Sequence, residues 1–297
     1  MDDSVTLLVD APSLFYRALF STPDDIRTRD GAPINAAHRF FRMLARLVQE
    51  HDPDYIACAA DVSWRPTWRV ELVESYKSAR AAPGSAQEAA EERLASQVPV
   101  LYGFLEMCDL AVVGHPEHEA EDVIGTLARR APGRAIIFSG DRDLFQLVHD
   151  PDVSVLFPIR GVSRVDVVDE AYIRSRYGIP GGAYRDFAVL RGDPSDGLPG
   201  VKGIGEKLAA SLVARYGDLE TILEEAQTNH HNSSLAKVGR AADYVRRAAK
   251  VTTIATDLPL APLDLSRPRN LARSEITAAA ERVGLKGPIT ALLDALG

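Results

Sequence analysis

The sequence predicts an α/β fold with a parallel central sheet and an additional all-helical region, and three observations support this prediction. Four short apolar segments lack polar alternation, which is typical of strands buried on both faces of a parallel sheet. Amphipathic helical patterns lie between them at the spacing of right-handed strand–helix–strand crossovers. From about residue 181 the pattern changes to helices alone. The 297 residues suffice for one large domain or two joined domains with a buried core.

The individual elements follow from the same patterns. Strands are predicted at residues 5–9, 55–60, 110–113 and 134–139, and a fifth at residues 153–157 is expected to add at an edge of the sheet. Helices are predicted between them at residues 36–50, 85–108 and 119–130. The later region contains predicted helices at residues 183–191, 205–216, 219–225 and 239–253. Two short helices at residues 274–283 and 288–296 are expected to pack back on the core.

The composition excludes several classes of protein. With 46% hydrophobic and 26% charged residues, the chain is not disordered as a whole. Two cysteines, Cys58 and Cys108, cannot form a disulfide framework, which indicates a reducing compartment. Because the N-terminus is acidic and no long apolar run occurs, we expect a cytoplasmic protein without a membrane contact. The net charge of −8 counts against a nucleic-acid partner, since phosphate binding requires local positive charge.

Carboxylates follow the predicted strands at the points where the strands end, and others begin the helix at residue 119. In open α/β sheets, ligands bind outside the carboxyl ends of the strands, so we expect these side chains to meet at one edge of the sheet. In chain order they are Asp10, Asp61, Glu119, Glu121, Asp122, Asp141 and Asp143.

Such a cluster predicts a divalent-metal site. Carboxylates that share a site repel one another, so they ionise together only when cations neutralise them. Oxygen ligands suit Mg²⁺ or Mn²⁺, and two such ions about 4 Å apart promote phosphodiester hydrolysis. For any single aspartate, an N-cap or a turn is an equally good explanation. Coincidence explains three strands and a helix start together much less well.

A glycine-rich segment at residues 200–207 predicts a phosphate-binding hairpin. Gly200, Gly203 and Gly205 lie between helices beside Lys202 and Lys207, and such a turn exposes backbone N–H groups to a phosphate. It is not a Walker A loop, and by itself it also fits a plain helix connection. Just before it, two further acids either join the carboxylate cluster or form a turn; they are Asp193 and Asp196.

Residues 64–80 interleave aromatic and basic side chains, a pattern that suits single-stranded nucleic acid. A helix that extends its arginines along the surface into water is the competing interpretation. The basic residues are Arg65, Arg69, Lys77 and Arg80.

Six segments together resemble the 5′-nuclease family, which includes the 5′–3′ exonuclease domain of bacterial DNA polymerase I, phage 5′-exonucleases and flap endonucleases. They occur in the family's order and spacing over nearly the whole chain, and the last of them is highly specific. The segments are VDAPSLFYR (9–17), AAD (59–61), SYKSAR (75–80), HEAEDVIGTLA (118–128), SGDRDLFQLV (139–148) and GDPSDGLPGVKGIGEKLA (192–209). Because the chain ends about where a polymerase domain would start, we expect a stand-alone bacterial paralogue of actinobacterial type.

The resemblance implies a division of the chain into three parts. Residues 1–180 would form a PIN-like nuclease core that includes a helical arch at about residues 64–95. Residues 181–257 would form a helix–three-turn–helix DNA-binding region, and residues 258–297 a C-terminal segment that packs back on the core.

The resemblance also implies roles for particular residues. A first metal cluster would consist of Asp10, Asp61, Glu119, Glu121 and Asp122, and a second of Asp141, Asp143, Asp193 and Asp196. Lys77, Arg80 and Asp122 are the expected catalytic residues, with Lys77 and Arg80 on the scissile phosphate. Substrate binding is assigned to Tyr76, which would stack on a terminal base, to Arg65 and Arg69, and to the hairpin residues Gly200, Lys202, Gly203, Gly205 and Lys207. A monovalent cation such as K⁺ is expected on carbonyls of residues 200–207.

Two departures from the family pattern affect the proposed site. Glu121 stands where the bacterial pattern usually has Asp, and Gly197 replaces a usual Asn. The longer side chain of Glu121 must reach the metal with one more methylene group. We expect the metal-ligand chemistry to survive both changes.

The resulting hypothesis is a monomeric, metal-dependent 5′–3′ exonuclease and flap endonuclease that acts on 5′ flaps, nicks and 5′ ends of DNA in replication and repair, alongside other repair proteins. Two alternatives stay open: a PIN-like ribonuclease, and a DNA-junction-binding protein whose catalysis has decayed. The hairpin and arch residues favour branched DNA, and the nine carboxylates disfavour decay. Without those nine, 33 acidic residues remain against 34 basic ones, so the charge of −8 no longer argues against DNA.

Overall fold

A six-stranded sheet lies at the centre of the computed structural model, which describes residues 3–23, 25–160, 164–229 and 231–297. Its strands are β1 (Val5–Asp10), β2 (Tyr55–Ala60), β3 (Ala111–Gly114), β4 (Arg134–Phe138), β5 (Val153–Arg160) and β6 (Arg164–Val168). The spatial order is β3-β2-β1-β4-β5-β6, with parallel pairing from β3 to β5 and antiparallel pairing between β5 and β6. The predicted α/β class is confirmed.

Helices cover both faces of this sheet, as right-handed crossovers between parallel strands require. Between β1 and β4 they are α1 (Ala11–Phe20), α2 (Asn35–His51), α3 (Thr67–Leu72), α4 (Ala86–Leu94), α5 (Val98–Met107) and α6 (Ala120–Arg130). After β6 follow α7 (Glu170–Tyr177), α8 (Tyr184–Arg191), α9 (Glu206–Tyr216), α10 (Leu219–Thr228), α11 (Ser233–Arg240) and α12 (Ala242–Thr252). The last two are α13 (Arg273–Val283) and α14 (Lys286–Leu296).

The hydrophobic core is divided by the sheet, because successive strand residues point to opposite faces. Leu7 and Val9 of β1 pack with α1, α2, α5 and α14 on one face. Leu8 packs on the other face with α6 and the helices of the later region. The two C-terminal helices α13 and α14 therefore pack back on the core, with α14 against α2.

The segment predicted as one helix at residues 85–108 is interrupted between α4 and α5. Pro99 lies in the first turn of α5, where its missing N–H is tolerated and where it favours a new helix start. The interruption places Gln97 in the core, where its Oε1 accepts the N–H groups of Ala36 and Ala37 at 2.9 and 3.2 Å. The side chain thus caps α2, which has no capping side chain of its own.

The fifth strand is not at the edge that the sequence suggested, because β6 pairs with its outer side. Three helices in the described part of the chain, α1, α3 and α7, were not predicted. The region predicted as one helix at residues 239–253 contains all of α12 but only the last two residues of α11, most of which was therefore not predicted. Within the described residues, no helix is both long and apolar enough to cross a membrane.

Candidate active site

An acidic cleft of about 1050 Å³ opens at the carboxyl ends of the central strands. Its position follows from the strand order, because the connections run in one direction from β1 to β2 and in the other from β4 to β5. The crevice between β1 and β4 is therefore the switch point at which open α/β sheets bind ligands. Seven of the nine predicted carboxylates line this cleft, and Asp122 and Asp143 do not. The seven are Asp10, Asp61, Glu119, Glu121, Asp141, Asp193 and Asp196.

Ser139 joins the ends of the two central strands. Its hydroxyl donates to Oδ2 of Asp10 at 2.5 Å, and its Oγ accepts the N–H of Asp141 at 2.9 Å. Asp10 also caps α1, because its Oδ1 accepts the N–H of Ser13 at 3.1 Å. Burial raises the pKa of Asp10 to about 6, although the bond from Ser139 opposes the shift. The first strand and the fourth thus present their carboxylates as one unit.

The N-terminus of α6 supplies the next carboxylates. Glu119 is the N-cap residue and forms a capping box with Asp122, so the start of this helix fixes both side chains. Asp61, which follows β2, accepts the N–H of Ala120 at 2.7 Å. The second strand and α6 therefore meet at the cleft, as the sequence predicted.

Three acidic side chains lie close enough together to share one ion. Glu121, Asp141 and Asp143 each offer an oxygen, and these atoms all lie within 4.8 Å of one another. Burial, followed by the charge of Glu121, raises the pKa of Asp141 to about 8. Burial and the neighbouring Asp141 raise the pKa of Asp143 well above its ordinary value. Like charges held this close in a buried site require a cation before all of them can ionise.

The donor set fits a divalent ion. Carboxylate oxygens are the ligands that Mg²⁺ and Mn²⁺ prefer, and buried carboxylates are otherwise costly. The cations that pair with these carboxylates or line the same cleft are fewer than the nine acids; they are Arg17, Arg69, Lys77, Arg80, Arg142 and Arg191. The excess negative charge is what a divalent metal site needs.

Asp193 and Asp196 reach the cleft from the short turn Pro194–Asp196. Asp193 accepts the N–H of Ser195 at 2.9 Å, so it also forms the turn that the sequence offered as its alternative role. Nη2 of Arg80 donates a hydrogen bond to Oδ1 of Asp196 at 2.6 Å. Burial raises the pKa of Asp196, whereas Lys77 and Arg80 lower it.

Lys77 lies at the wall of the cleft and is itself buried. Its ammonium group donates to Oε2 of Glu119. Burial alone would lower the pKa of Lys77, because it disfavours the charged ammonium. The negative charges of Glu119 and Asp196 outweigh this effect and raise the pKa above its ordinary value. Its φ of +48° is uncommon for a residue with a side chain, and the bond from its N–H to the carbonyl of Asp196 at 2.9 Å holds this conformation.

The structure corrects the expectation that Arg69 and Tyr76 face DNA. Arg69 is fully buried and donates to Glu119 and Glu121 at 2.7 and 2.6 Å. Tyr76 is only 2% exposed, and its hydroxyl donates to Glu119 at 2.6 Å. Both side chains turn inward because the buried carboxylates of α6 require hydrogen-bond donors. Neither has surface available for stacking on a base.

Arg65 has a structural contact as well. Its Nε donates to the carbonyl of Tyr76 at 2.7 Å, and its side chain is partly buried. The bond joins the segment before α3 to the turns after it, at residues 74–80. Arg80, in contrast, keeps 37% of its side chain exposed at the cleft.

The glycine-rich hairpin lies on the surface, between α8 and α9. Gly200 and Gly203 have φ of +68° and +81°, which only glycine adopts without strain. Lys202, Gly203, Gly205 and Lys207 are exposed. The N–H of Gly200 donates to the hydroxyl of Tyr244 at 2.8 Å, which fixes the hairpin on α12.

One carbonyl of this hairpin already has a cationic partner. Lys237 of α11 donates from Nζ to the carbonyl of Gly203 at 3.1 Å. This carbonyl is one of those expected to hold a monovalent cation. Such a cation therefore has to share or displace the lysine contact.

Two residues at the site, Arg17 and Ser139, were not assigned a role from the sequence; Arg17 lines the cleft, and Ser139 is buried beside Asp10 and Asp141. Arg17 of α1 lines the cleft and lies directly against Gly140, where a Cβ would come within 2.4 Å of the guanidinium. Burial lowers the pKa of Arg17, and Asp10 opposes this shift. Arg17 ends the family-like segment at residues 9–17, and Ser139 begins the one at residues 139–148. Their place in these segments was the sequence signal that could have pointed to them.

Family models match most of the chain. Residues 5–178 match the model described as 5′-3′ exonuclease, N-terminal resolvase-like domain. Residues 179–274 match the model described as 5′-3′ exonuclease, C-terminal SAM fold.

Individual relatives agree with these matches. The chain is 42% identical to a 5′-3′ exonuclease of Streptomyces coelicolor over 98% of its own length and 99% of the relative. It is 39% identical to a 5′-3′ exonuclease of Mycobacterium tuberculosis, with 99% and 98% covered. Among solved structures, a bacteriophage T5 flap endonuclease in complex with DNA and metal ions matches with a TM-score of 0.68 at 16% identity, covering 98% of this chain and 99% of that one. This last likeness shows a shared fold.

Proposed function

The chain belongs to the 5′-3′ exonuclease family, and on this premise we propose that it is a divalent-metal-dependent, structure-specific 5′ nuclease that cuts DNA at 5′ flaps, nicks and 5′ ends. One observation carries the proposal. The group formed by Glu121, Asp141 and Asp143 lies beside a cleft whose wall carries Lys77 and Arg80. Metal ligands and phosphate-binding cations thus occur together at one opening.

The acidic side chains would hold the metal. Glu121, Asp141 and Asp143 are the proposed ligands of one ion, and Asp10, Asp61 and Glu119 face the same cleft. When bound, Mg²⁺ or Mn²⁺ supplies a Lewis acid that activates the attacking water and stabilises the charge on the phosphate.

The chain's own cations would orient the substrate. Arg80 is partly exposed at the cleft and is held in place by Asp196. Lys77 is fixed by Glu119 and by its backbone bond to Asp196. A phosphate that enters the cleft would meet both positive charges, which favours a phosphodiester in an otherwise acidic opening.

The exposed hairpin would bind the duplex away from the cut. Lys202 and Lys207 lie on the surface beside the N-terminus of α9. Helix N-termini and exposed backbone N–H groups favour phosphate, and lysines add salt-dependent affinity. This contact reads no base sequence, which suits an enzyme that recognises the shape of its DNA.

A cleavage experiment tests the proposed function. Labelled 5′-flap, nicked and single-stranded DNA, and a flap of the same sequence in RNA, are each incubated with the protein in Mg²⁺, in Mn²⁺ and in EDTA. We expect metal-dependent cleavage near the flap junction, and none in EDTA. Faster cleavage of the RNA flap would favour a ribonuclease, and binding without cleavage in either metal would contradict the proposal.

A further inference from the structure

Arg69 contacts three carboxylates at the start of α6. From α3, its Nη1 donates to Glu119 and Glu121, and its Nη2 donates to both oxygens of Asp122 at 3.0 Å. No part of its side chain is exposed. One guanidinium therefore connects three acidic side chains.

Asp122 is occupied by protein donors on both of its oxygens. Its Oδ1 accepts the N–H of Ala255 at 2.8 Å in addition to Arg69. Its Oδ2 accepts the N–H of Glu119 at 3.3 Å and lies 3.2 Å from Nδ1 of His118. A carboxylate offers about four acceptor positions, so this side chain has none left for a metal.

Glu119 and Glu121 differ from Asp122 in where they lie. Both line the acidic cleft, whereas Arg69 and Asp122 do not. Glu121 bonds Arg69 through Oε1 and at the same time belongs to the compact group with Asp141 and Asp143. The arginine thus lies behind the acidic group and contacts two of the side chains that face the metal site.

We propose that Arg69 and Asp122 form a positioning pair, in which Asp122 anchors Arg69 and Arg69 fixes Glu119 and Glu121 at the metal site. Neither residue of the pair touches DNA or metal. The inference rests on the proposed function, since it concerns the metal site of that activity. It replaces a substrate-binding role for Arg69 and a ligand role for Asp122.

The shape of the guanidinium explains why this position needs arginine. Its planar group presents several N–H donors in a fixed arrangement, whereas an ammonium is a single point charge on a flexible chain. A lysine at this position cannot reach three carboxylates at once. The carboxylates left without a donor would move apart, because they are buried and negatively charged.

The test compares Arg69→Lys with the matched control Arg46→Gln. Arg46 forms one exposed ion pair with Glu50 at 2.6 Å on α2, outside the cleft. Mn²⁺ binding to the full chain is measured by calorimetry without DNA, and flap-DNA binding is measured by fluorescence anisotropy in EDTA. For R69K we expect Mn²⁺ affinity to fall about 10- to 100-fold, the usual effect of losing a partner behind the ligands. DNA affinity and its salt dependence should stay unchanged, and R46Q should change neither quantity.

Excess metal separates a positioning role from a general loss of structure. Cleavage by R69K should be lost at limiting Mn²⁺ and recover at saturating Mn²⁺, whereas a damaged fold would not recover. Unchanged Mn²⁺ affinity together with weaker DNA binding would overturn the proposal. If the wild-type protein cleaves flap DNA in the same preparation, the proposed function stands whichever result R69K gives.

A second variant keeps the proposal testable if R69K does not fold. Asp122→Asn preserves the shape of the side chain, and Asp141→Asn serves as the comparison at a proposed ligand. We expect D122N to bind the same number of Mn²⁺ ions as the wild type with weaker affinity, and D141N to bind fewer. An equal loss of ions in both variants would show that Asp122 is a ligand and would overturn the proposal.

Discussion

At the scale of single residues, the acidic side chains of the cleft stabilise the fold and form the site at the same time. Asp10 caps α1 through one oxygen and accepts the hydroxyl of Ser139 through the other. Glu119 begins α6 and also accepts a bond from Lys77. The capping and the metal-binding interpretations of these residues are therefore compatible. A substitution that tests catalysis has to be chosen where the capping role is absent.

Asp141 meets that condition, because it caps no helix and instead accepts the N–H of Asp143 at 2.9 Å. For Asp141→Asn we expect cleavage of flap DNA to fall by more than the roughly 10- to 100-fold typical of an outer-shell change. DNA affinity in EDTA should be largely retained, since the hairpin is untouched. The rate is measured under single-turnover conditions.

The matched control for this variant is Asp152→Asn. Asp152 lies in the loop before β5 and is 67% exposed. The Asp152→Asn variant should cleave flap DNA at the wild-type rate. Cleavage by D141N at the wild-type rate would mean that Asp141 is not a metal ligand.

At the scale of elements, the segment after α3 is attached to the turn that carries Asp196. The hydroxyl of Ser75 donates to the carbonyl of Gly197 at 2.6 Å, and the N–H of Lys77 donates to the carbonyl of Asp196. Tyr76 packs in a small cluster with Leu198 and Val251. Residues 75–77 and the turn that carries Asp196 thus hold one another in place at the cleft.

This attachment explains why glycine replaces the usual Asn at position 197. A Cβ there would lie 1.9 Å from the carbonyl oxygen of Ser75. For Gly197→Asn we expect a loss of about 1–3 kcal/mol in the free energy of unfolding, as for other overpacked positions. Cleavage should fall as well, because Lys77 would be displaced. Urea denaturation and the flap assay measure the two effects.

Gly178→Asn provides the comparison for that prediction. Gly178 has a similar φ of +73° at the end of α7, but no atom lies within 4 Å of its Cβ position. Asn tolerates this conformation, so the stability should change little. Equal destabilisation in both variants would contradict the contact with Ser75.

The hairpin makes a separate prediction about DNA binding. Lys202→Gln and Lys207→Gln should each weaken flap-DNA binding and reduce the salt slope of log K by about 1, if each lysine contacts one phosphate. Lys286→Gln is the control, because Lys286 is exposed on α14 and pairs with Glu281. Anisotropy titrations at several salt concentrations measure the slope. An unchanged slope in both hairpin variants would remove the hairpin from the DNA-binding surface.

At the scale of the whole molecule, the sequence predicted the parallel sheet and the edge at which the acids meet, because both depend on periodicity and on strand ends. It did not predict β6, the edge strand that pairs antiparallel with β5. The inward position of Arg69 was also missed. Its side chain is set by three carboxylates about 50 residues later in the chain, and local pattern contains no information on such a contact.

The buried acids also make the stability of the whole protein depend on pH. The pKa of Asp141 is about 8 and that of Asp10 about 6 in the folded protein, above the value near 3.9 of an unfolded Asp. Between these values the folded state binds more protons than the unfolded state, so stability decreases as the pH rises. The stabilisation is complete below about pH 4 and is lost as the pH rises to about 8.

In EDTA we therefore expect a lower Tm at pH 8 than at pH 6, and Mn²⁺ should restore the Tm at pH 8. For each proton released, the free energy of unfolding changes by about 1.4 kcal/mol per pH unit. In a protein of this size such a change shifts the Tm by several degrees. In Asp141→Asn the side chain at position 141 does not titrate, so the decrease in Tm from pH 6 to pH 8 should be smaller. Scanning calorimetry measures these values. A Tm in EDTA that rises from pH 6 to pH 8 would contradict the assignment of buried, repelling acids.

The strand order has a further consequence, for the time at which the site forms during synthesis. β1 and β4 are neighbours, and the bond between Asp10 and Ser139 spans 129 positions of the chain. A nascent chain that has emerged only through α6 contains Asp10, Asp61 and Glu119, but none of the acids from residue 141 to residue 196. Because contacts this distant in sequence form late, we expect the acidic cleft to be completed only after most of the protein has left the ribosome. We therefore expect incomplete chains to lack the proposed cleavage activity.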